Sequence, residues 1–403
     1  MMIMFLARFI AASACHRTGE SASHGVLSRL SCLIAFIIAL SLGLGVSAQV
    51  SPFIADQKPL WRHGESDVVI YRIPLLSYTP KGHLLAVAEA RKYTTGDAGP
   101  KFMVIRRSLD ELGDEWDAMQ VIVDDGYLIF DGLNLGSILV DDEKGIIFIM
   151  YSLCAHHDKC NVSSTKIIKS FDDGMTWSKP INISEQIGTQ AFDPGPGFGL
   201  QKKYAPYKGR LVICGHGGLY MDGVYCLLSD DHGMTWRWGG SIPGIPYREK
   251  KQEGDFVPDE CQAVELSDGS IMVNSRNQYR FRCRCRIVAW SFDGAETLPI
   301  TNVYQVDALI EPACAAGLLY HRDVLFFTNP KSTIARINLT LQWSYDNGTT
   351  WAKELQIWDQ ASGYSTMTAY PGPSKYIFIL FEKGVSYSTE SVDFVRVSLY
   401  NKV

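Results

Sequence analysis

One short pattern, Ser-x-Asp-x-Gly-x-Thr-Trp, occurs three times in this chain, at Ser170–Trp177, Ser229–Trp236 and Ser344–Trp351. Each copy reads as a hairpin turn. The Asp can accept hydrogen bonds from turn amides, the Gly supplies a positive φ, and the Trp covers the turn. Two weaker copies extend the series. Ser108–Trp116 carries one inserted residue, and Ser291–Leu298 has lost the glycine register and the Trp. The serines at 108, 170, 229, 291 and 344 are 62, 59, 62 and 53 residues apart. A period near that length, with one hairpin per repeat, predicts an all-β, six-bladed β-propeller, its sixth blade built from the two chain ends.

The rest of the sequence agrees with that expectation. No long amphipathic pattern is present. Short apolar or alternating runs recur at Ile70–Leu76, Leu84–Ala88, Ile146–Ser152, Leu211–Cys214, Val224–Leu228, Ile271–Asn274, Val324–Thr328 and Ile377–Phe381, separated by turn clusters. Asp193-Pro-Gly-Pro-Gly-Phe-Gly199 has no Lys-Ser/Thr and no following helical pattern, so it predicts a tight interstrand loop rather than a phosphate cradle. The formal net charge of −5, with no basic run, argues against nucleic acid as a partner.

Arg29 precedes an apolar run, Leu33–Val46, and Val46-Ser-Ala48 offers a small-residue cleavage site. Residues 1–48 therefore read as a signal or targeting segment, and 49–403 as the folded domain. Secretory entry makes disulfides the natural use for the eight cysteines that follow, at 154, 160, 214, 226, 261, 283, 285 and 314. Cys154 with Cys160, and Cys214 with Cys226, are spaced to close small loops. Cys283-Arg-Cys285 favours a disulfide or buried thiols over zinc, since no histidine pair accompanies it. Sequons at Asn161, Asn182, Asn338 and Asn347 fit the same route.

Arginines stand at the ends of apolar segments: Arg72 in Tyr-Arg-Ile-Pro, Arg276 in Asn-Ser-Arg-Asn-Gln, and Arg336 in Ile-Ala-Arg-Ile-Asn. A buried arginine needs an anion. For any one of them a structural salt bridge is the ordinary explanation. Three on different repeats could instead converge on the axis and grip a small carboxylate, which a guanidinium matches bidentately.

With those residues in view, the chain resembles sialidases of the lysosomal type. Tyr-Arg-Ile-Pro at 71–74 resembles that family's arginine motif, and the repeats resemble its Asp-boxes. Leu84–Arg91, Asp131–Gly136, Tyr151–His156, Pro258–Gln262 and Glu382–Gly384 are similar too. The resemblance implies a propeller that hydrolyses terminal sialic acid from glycoproteins, oligosaccharides and glycolipids. It assigns Arg72, Arg276 and Arg336 to the substrate carboxylate, and Glu382 to holding the first arginine. Arg91 and Asp131 are placed in the pocket. Asp97 becomes the general acid/base, Tyr364 the nucleophile and Glu260 its partner base. Taken singly, Tyr364 is one tyrosine among 19, Asp97 is a turn aspartate and Glu260 a surface acid. Only their joint occurrence with the arginines and the boxes outweighs those ordinary readings.

The residue types make chemical sense. Sialidases stand apart from the two-carboxylate glycosidases in using a tyrosine. Sialic acid carries its carboxylate on the anomeric carbon, which repels a carboxylate nucleophile but not a neutral phenol. A phenol ionises near pH 10, so it needs an adjacent base. Two displacements at one carbon predict retention, with no metal and no cofactor. The resemblance further implies residence in the lysosome or at the cell surface, and partnership with a serine carboxypeptidase (the protective protein, cathepsin A) and β-galactosidase. Tyr400-Asn-Lys-Val403 matches a Tyr-x-x-hydrophobic sorting signal as well as the end of a last strand. A trans-sialidase, or a glycan-binding propeller without turnover, are the competing readings. The Tyr364–Glu260 pair argues against the binding module.

Overall fold

The computed structural model describes residues 49–97, 99–124, 131–155, 161–188, 192–217, 221–246, 257–278, 283–351 and 353–400. The targeting segment, the Cys154–Cys160 pair and the last three residues of the C-terminal motif lie outside what can be described. Strand β1 (Phe53–Arg62) precedes a first antiparallel sheet of β2 (Ile70–Tyr78), β3 (Leu84–Arg91), β4 (Lys101–Arg107) and β5 (Gln120–Asp124). A second holds β6 (Asp131–Asp141), β7 (Ile146–Ala155), β8 (Asn161–Ser170) and β9 (Ile181–Asn182), followed by a single helical turn, α1 (Ser184–Ile187).

The Pro-Gly segment is more than a loop. It forms two two-residue strands, β10 (Asp193–Pro194) and β11 (Gly197–Phe198), and leads directly into a third, β12 (Leu200–Gln201). Strand β11 adds parallel to β6 of the second sheet. Strands β10 and β12 pair with β13 (Leu211–His216) of the third sheet, beside β14 (Met221–Ser229) and β15 (Arg237–Pro246). The segment therefore ties two sheets together. Turn-rich composition showed where the chain bends but not with which strand it pairs.

The fourth sheet is β16 (Pro258–Glu265), β17 (Ile271–Asn277), β18 (Cys285–Ser291) and β19 (Val303–Ile310). The last has seven strands: β20 (Gly317–His321), β21 (Val324–Pro330), β22 (Ile337–Ser344), β23 (Lys353–Thr368), β24 (Tyr376–Lys383), β25 (Ser391–Ser398) and, returning from the start of the chain, β1. Strand β23 is 16 residues long. Its first half pairs with β22 and its second half, from Ser362, with β24. All eight apolar runs read from the sequence fall inside strands.

This is an all-β, propeller-like arrangement. First strands pack on first strands, β2 against β6 and β23, and β16 against β13 and β20. Apolar clusters fill the space between successive sheets. Leu75, Val87 and Ile105 meet Leu133, Ile147 and Ile149. Val212 and Leu228 meet Ala263 and Val273. Val264 and Met272 meet Leu318 and Phe327. Such layers of fully buried branched side chains supply the main driving force for this packing.

The Asp-boxes close the turns after β8, β14 and β22. In the first of these, Ser170 Oγ takes the amide of Gly174 at 2.8 Å and Asp172 takes the amide of Thr176 at 2.8 Å. Trp177 Nε1 donates to the carbonyl of Gly174 at 3.2 Å. The copies at 229 and 344 repeat the Ser–Gly and Asp–Thr bonds. The copy at 291 keeps them too, with Ala295 at the glycine position and a φ of 67°. Its register is thus retained, which corrects the expectation that it was lost. An alanine is held in the left-handed region by the serine and aspartate hydrogen bonds around it.

Candidate active site

The predicted site residues arise from seven strands, β2, β3, β6, β16, β17, β23 and β24, and from the loops that carry Asp97 and Arg336. Arg72 lies at the start of β2. Its Nε and Nη2 donate to Glu382 on β24 at 2.9 and 3.2 Å, a bidentate pair spanning 310 positions. Glu382 is fully buried and also accepts the amides of Ile73 and Tyr364, both at 3.0 Å. One carboxylate thereby fixes an arginine and the backbone of the tyrosine. A Cβ on Gly363 would sit 2.2 Å from Glu382 Oε2, so glycine is required for this close approach.

Tyr364, in the second half of β23, is 7% exposed. Its hydroxyl makes a short hydrogen bond to Glu260 Oε1 and receives one from Arg276 Nη1 at 3.1 Å. Arg276 Nη1 also donates to Glu260 Oε2 at 2.6 Å. The Cζ atoms of Arg72 and Arg336 lie 5.0 and 5.3 Å from the centre of the Tyr364 ring. Three guanidiniums therefore surround one phenol. Burial, and then the charge of Glu260, push the Tyr364 phenol well above its usual range, against the opposing arginines. It is neutral until a base takes its proton, and Glu260 is the base in contact with it.

The arginines differ in what they leave free. Arg72 is committed to Glu382 on one edge. Arg336, just before β22, has only the carbonyl of Ala313 as a hydrogen-bond partner, at 3.1 Å, and no ion pair among the described residues. Arg276 Nε is buried and unpartnered. Unspent donors beside a buried phenol suit an incoming carboxylate.

Asp97 lies in the loop between β3 and β4, with its side chain 76% exposed. Arg91, the last residue of β3, donates to it from Nη2 at 2.7 Å, and Arg72 Nη1 approaches to 3.5 Å. Partial desolvation pushes the Asp97 carboxyl upward, but Arg91 and then Arg72 outweigh it and hold the group below its usual range. Asp131 opens β6, and its side chain lies outside what can be described.

Sequence reasoning missed two sets of supporting charges. Buried Glu89 accepts Arg91 Nε at 2.8 Å and lies 3.5 Å from the buried ammonium of Lys101, which also donates to Leu133 O and Asn134 Oδ1 on β6. Beside Glu260, Asp259 pairs with His216 Nδ1 at 2.7 Å. Burial works to lower the His216 value, yet Asp259 raises it to about 9. In turn, burial works to raise Asp259, while His216 brings it down to about 2. Lys101, at the head of the apolar run Phe102–Ile105 in β4, was the available signal for the first set. Nothing in the sequence marked the second. The expected Cys214–Cys226 disulfide joins β13 and β14, and Cys283 bonds Cys285, while Cys261 and Cys314 are free and buried.

Residues 82–390 match the BNR repeat-like domain. The sialidase of Micromonospora viridifaciens is 30% identical over 84% of this chain and 56% of its own length. The chain belongs to the BNR-repeat sialidase family. The sialidase of Bacteroides fragilis is 29% identical over 81% of this chain and 63% of its own length. A solved Hadza microbial sialidase superposes with a TM-score of 0.69 at 26% identity, covering 84% of this chain and 68% of that one. The chain spans roughly three-fifths of the length of the two curated relatives.

Proposed function

We propose that this family member is a retaining exo-α-sialidase that removes terminal sialic acid from glycoproteins, oligosaccharides and glycolipids. The observation that carries the reading is the Tyr364 hydroxyl held between Glu260 and Arg276, with Arg72 and Arg336 flanking the ring. The substrate carboxylate would enter among the three guanidiniums, taking Arg336 and the free edges of Arg72 and Arg276. Glu260 removes the phenolic proton as Tyr364 attacks the anomeric carbon. Asp97 protonates the departing oxygen, then takes a proton from the water that releases the sugar. Before substrate arrives, Asp97 is held ionised by Arg91 and Arg72. A carboxylate on Arg72 would weaken that hold and let Asp97 carry its proton. The arginines supply the fixed electrostatic complement.

Counting the seven-stranded sheet as two blades sharing β23 gives six in all, within a catalytic domain at 49–403 preceded by a signal segment. The secretory features and the longer stretches of resemblance support a lysosomal enzyme of glycoconjugate and ganglioside catabolism. On that reading a serine carboxypeptidase and β-galactosidase are its partners.

The test is release of 4-methylumbelliferone from its α-sialoside between pH 4 and 7, in wild type and Tyr364→Phe, each with and without the carboxypeptidase. The expected result is turnover in wild type that falls by at least about a hundredfold in the variant. NMR of the first-formed sugar should show the α-anomer. Equal rates in both proteins would remove Tyr364 from the mechanism, and a first-formed β-anomer would rule out retention.

A further inference from the structure

At the opposite end of the axis the first strands finish around a second cavity of about 420 Å³. It lies beyond the catalytic end of the same strands: Arg72 starts β2 and Tyr78 ends it, roughly 20 Å of extended chain further on. Four tyrosines line it, Tyr78 at the end of β2, Tyr320 in β20, and Tyr204 and Tyr370 from loops, together with Lys203 and Arg322. Its volume is within the range of small-molecule sites.

The charges in this cavity are unevenly spent. Asp142 accepts the Tyr78 hydroxyl on both oxygens, at 2.9 and 2.7 Å. Glu265 accepts Lys202 Nζ at 2.5 Å and the amides of Lys203 and Tyr204. Asp323 accepts the Tyr320 hydroxyl at 3.1 Å. All three carboxylates therefore already have donors. By contrast, Lys203 and Arg322 have no ion-pair partner among the described residues. Arg322 reaches only the carbonyl of Pro373, at 3.0 Å, and the face of Tyr400. The two cations come from segments beside different sheets, Lys203 between β12 and β13 and Arg322 between β20 and β21, and line the cavity together with His321. Burial, and then these two charges, hold that imidazole below its usual range. Like charges gathered from separate elements repel one another, and an anion between them would relieve that repulsion.

We propose that this cavity binds a small acidic sugar, its carboxylate between Lys203 and Arg322 and its ring against the tyrosine faces. Tyrosine offers a flat apolar surface for the C–H face of a sugar, and hydroxyls at its edge for the sugar's own. Tyr204 is the best placed for this, being 46% exposed, and its hydroxyl has no hydrogen-bond partner among the described residues. The site is independent of the chemistry proposed for Tyr364.

The experiment is calorimetric titration of glucuronate, glucose and inorganic phosphate into wild type, Lys203→Ala/Arg322→Ala, Tyr204→Leu and Arg336→Ala. Glucuronate should bind wild type and Arg336→Ala alike, placing the site away from the catalytic arginines. Affinity should fall at least tenfold in the double variant and several-fold in Tyr204→Leu, while glucose and phosphate bind more weakly than glucuronate. Both exposed-residue variants should keep wild-type sialoside turnover, which verifies their folding. Glucuronate binding unchanged in the double variant, or abolished by Arg336→Ala, would overturn the proposal. So would phosphate binding as tightly as glucuronate, because charge alone would then account for the site.

Discussion

Arg91 shows how much a single site residue depends on the buried charges behind it. Its Nη2 holds Asp97, and its Nε is held by Glu89, which shares a buried site with Lys101. The cations facing Asp97 are Arg91, Arg72 and, further off, Lys101, from β3, β2 and β4. Replacing Lys101 by Met removes one of them, so the Asp97 carboxyl should rise. If Asp97 is the general acid, the alkaline limb of kcat/KM against pH should move up by about half a unit to one unit. An unmoved limb in a folded variant would separate Lys101 from the acid. The His216–Asp259 pair gives a stability prediction. His216 rises from 6.5 to about 9, so its contribution is complete below pH 6.5 and is lost as pH climbs toward 9. Asp259 falls from 3.8 to about 2, so its contribution is complete above pH 3.8 and is lost as pH drops toward 2. His216→Gln should therefore cost most between about pH 4 and 6.5, on the order of 2 kcal/mol after allowing for partial exposure, with the deficit shrinking by pH 9. Urea melts across that range would read it, and a deficit that grows with pH would contradict the pairing. The arginines, Tyr364 and Glu260 were legible because their types and order matched a known arrangement. The histidine and lysine were not, because their roles depend on neighbours from other strands.

At the scale of the hairpin, the repeated turn shows what sequence reading can and cannot resolve. Spacing located every box, since a hydrogen-bonded turn has fixed local geometry. It also suggested that the box at 291 had decayed, yet Ser291 Oγ still bonds the amide of Ala295, and Asp293 bonds Thr297 through amide and hydroxyl. The serine and aspartate define the turn, and the residue between them follows whatever its propensity. An alanine at φ 67° is strained where glycine would not be. Ala295→Gly should therefore raise stability by about 0.5–1 kcal/mol, net of the greater chain entropy of glycine, and lift the thermal midpoint by a degree or more. A lowered midpoint would mean that the buried methyl group contributes more through packing than it costs in strain. The box at 108 absorbs its inserted residue differently. Asp110 spreads its bonds over the amides of Leu112, Asp114 and Glu115, and Trp116 still donates to the carbonyl of Gly113 at 2.9 Å.

The described domain closes through β1, the first of its described strands, which pairs with β25. A count of repeats asked for a last sheet made from both ends, and β1 does pair with β25, but which residues meet was not legible, because pairings between distant segments leave no periodic trace. In the structure Phe53 faces Ser398 and Arg62 faces Ser391. Leu60 and Trp61 pack with Phe378, Leu380, Val392 and Phe394, in the same cluster as Tyr71 and Leu76 of β2. This closure bears directly on the candidate site. Arg72 on β2 and Glu382 on β24 belong to sheets that meet across this cluster, so the bidentate pair that fixes the first arginine depends on the seam being shut. Deleting residues 49–62 removes no site residue, yet it uncovers the edge of β25 and strips Leu60 and Trp61 from the core. The expected outcome is loss of a cooperative thermal transition together with sialoside turnover, and partial recovery of both when a peptide spanning residues 50–64 is added. Retention of the wild-type midpoint and rate by the truncated chain would show that the sheets hold their order without β1. A truncated chain that melts normally but turns over slowly would confine the effect of closure to the Arg72–Glu382 pair.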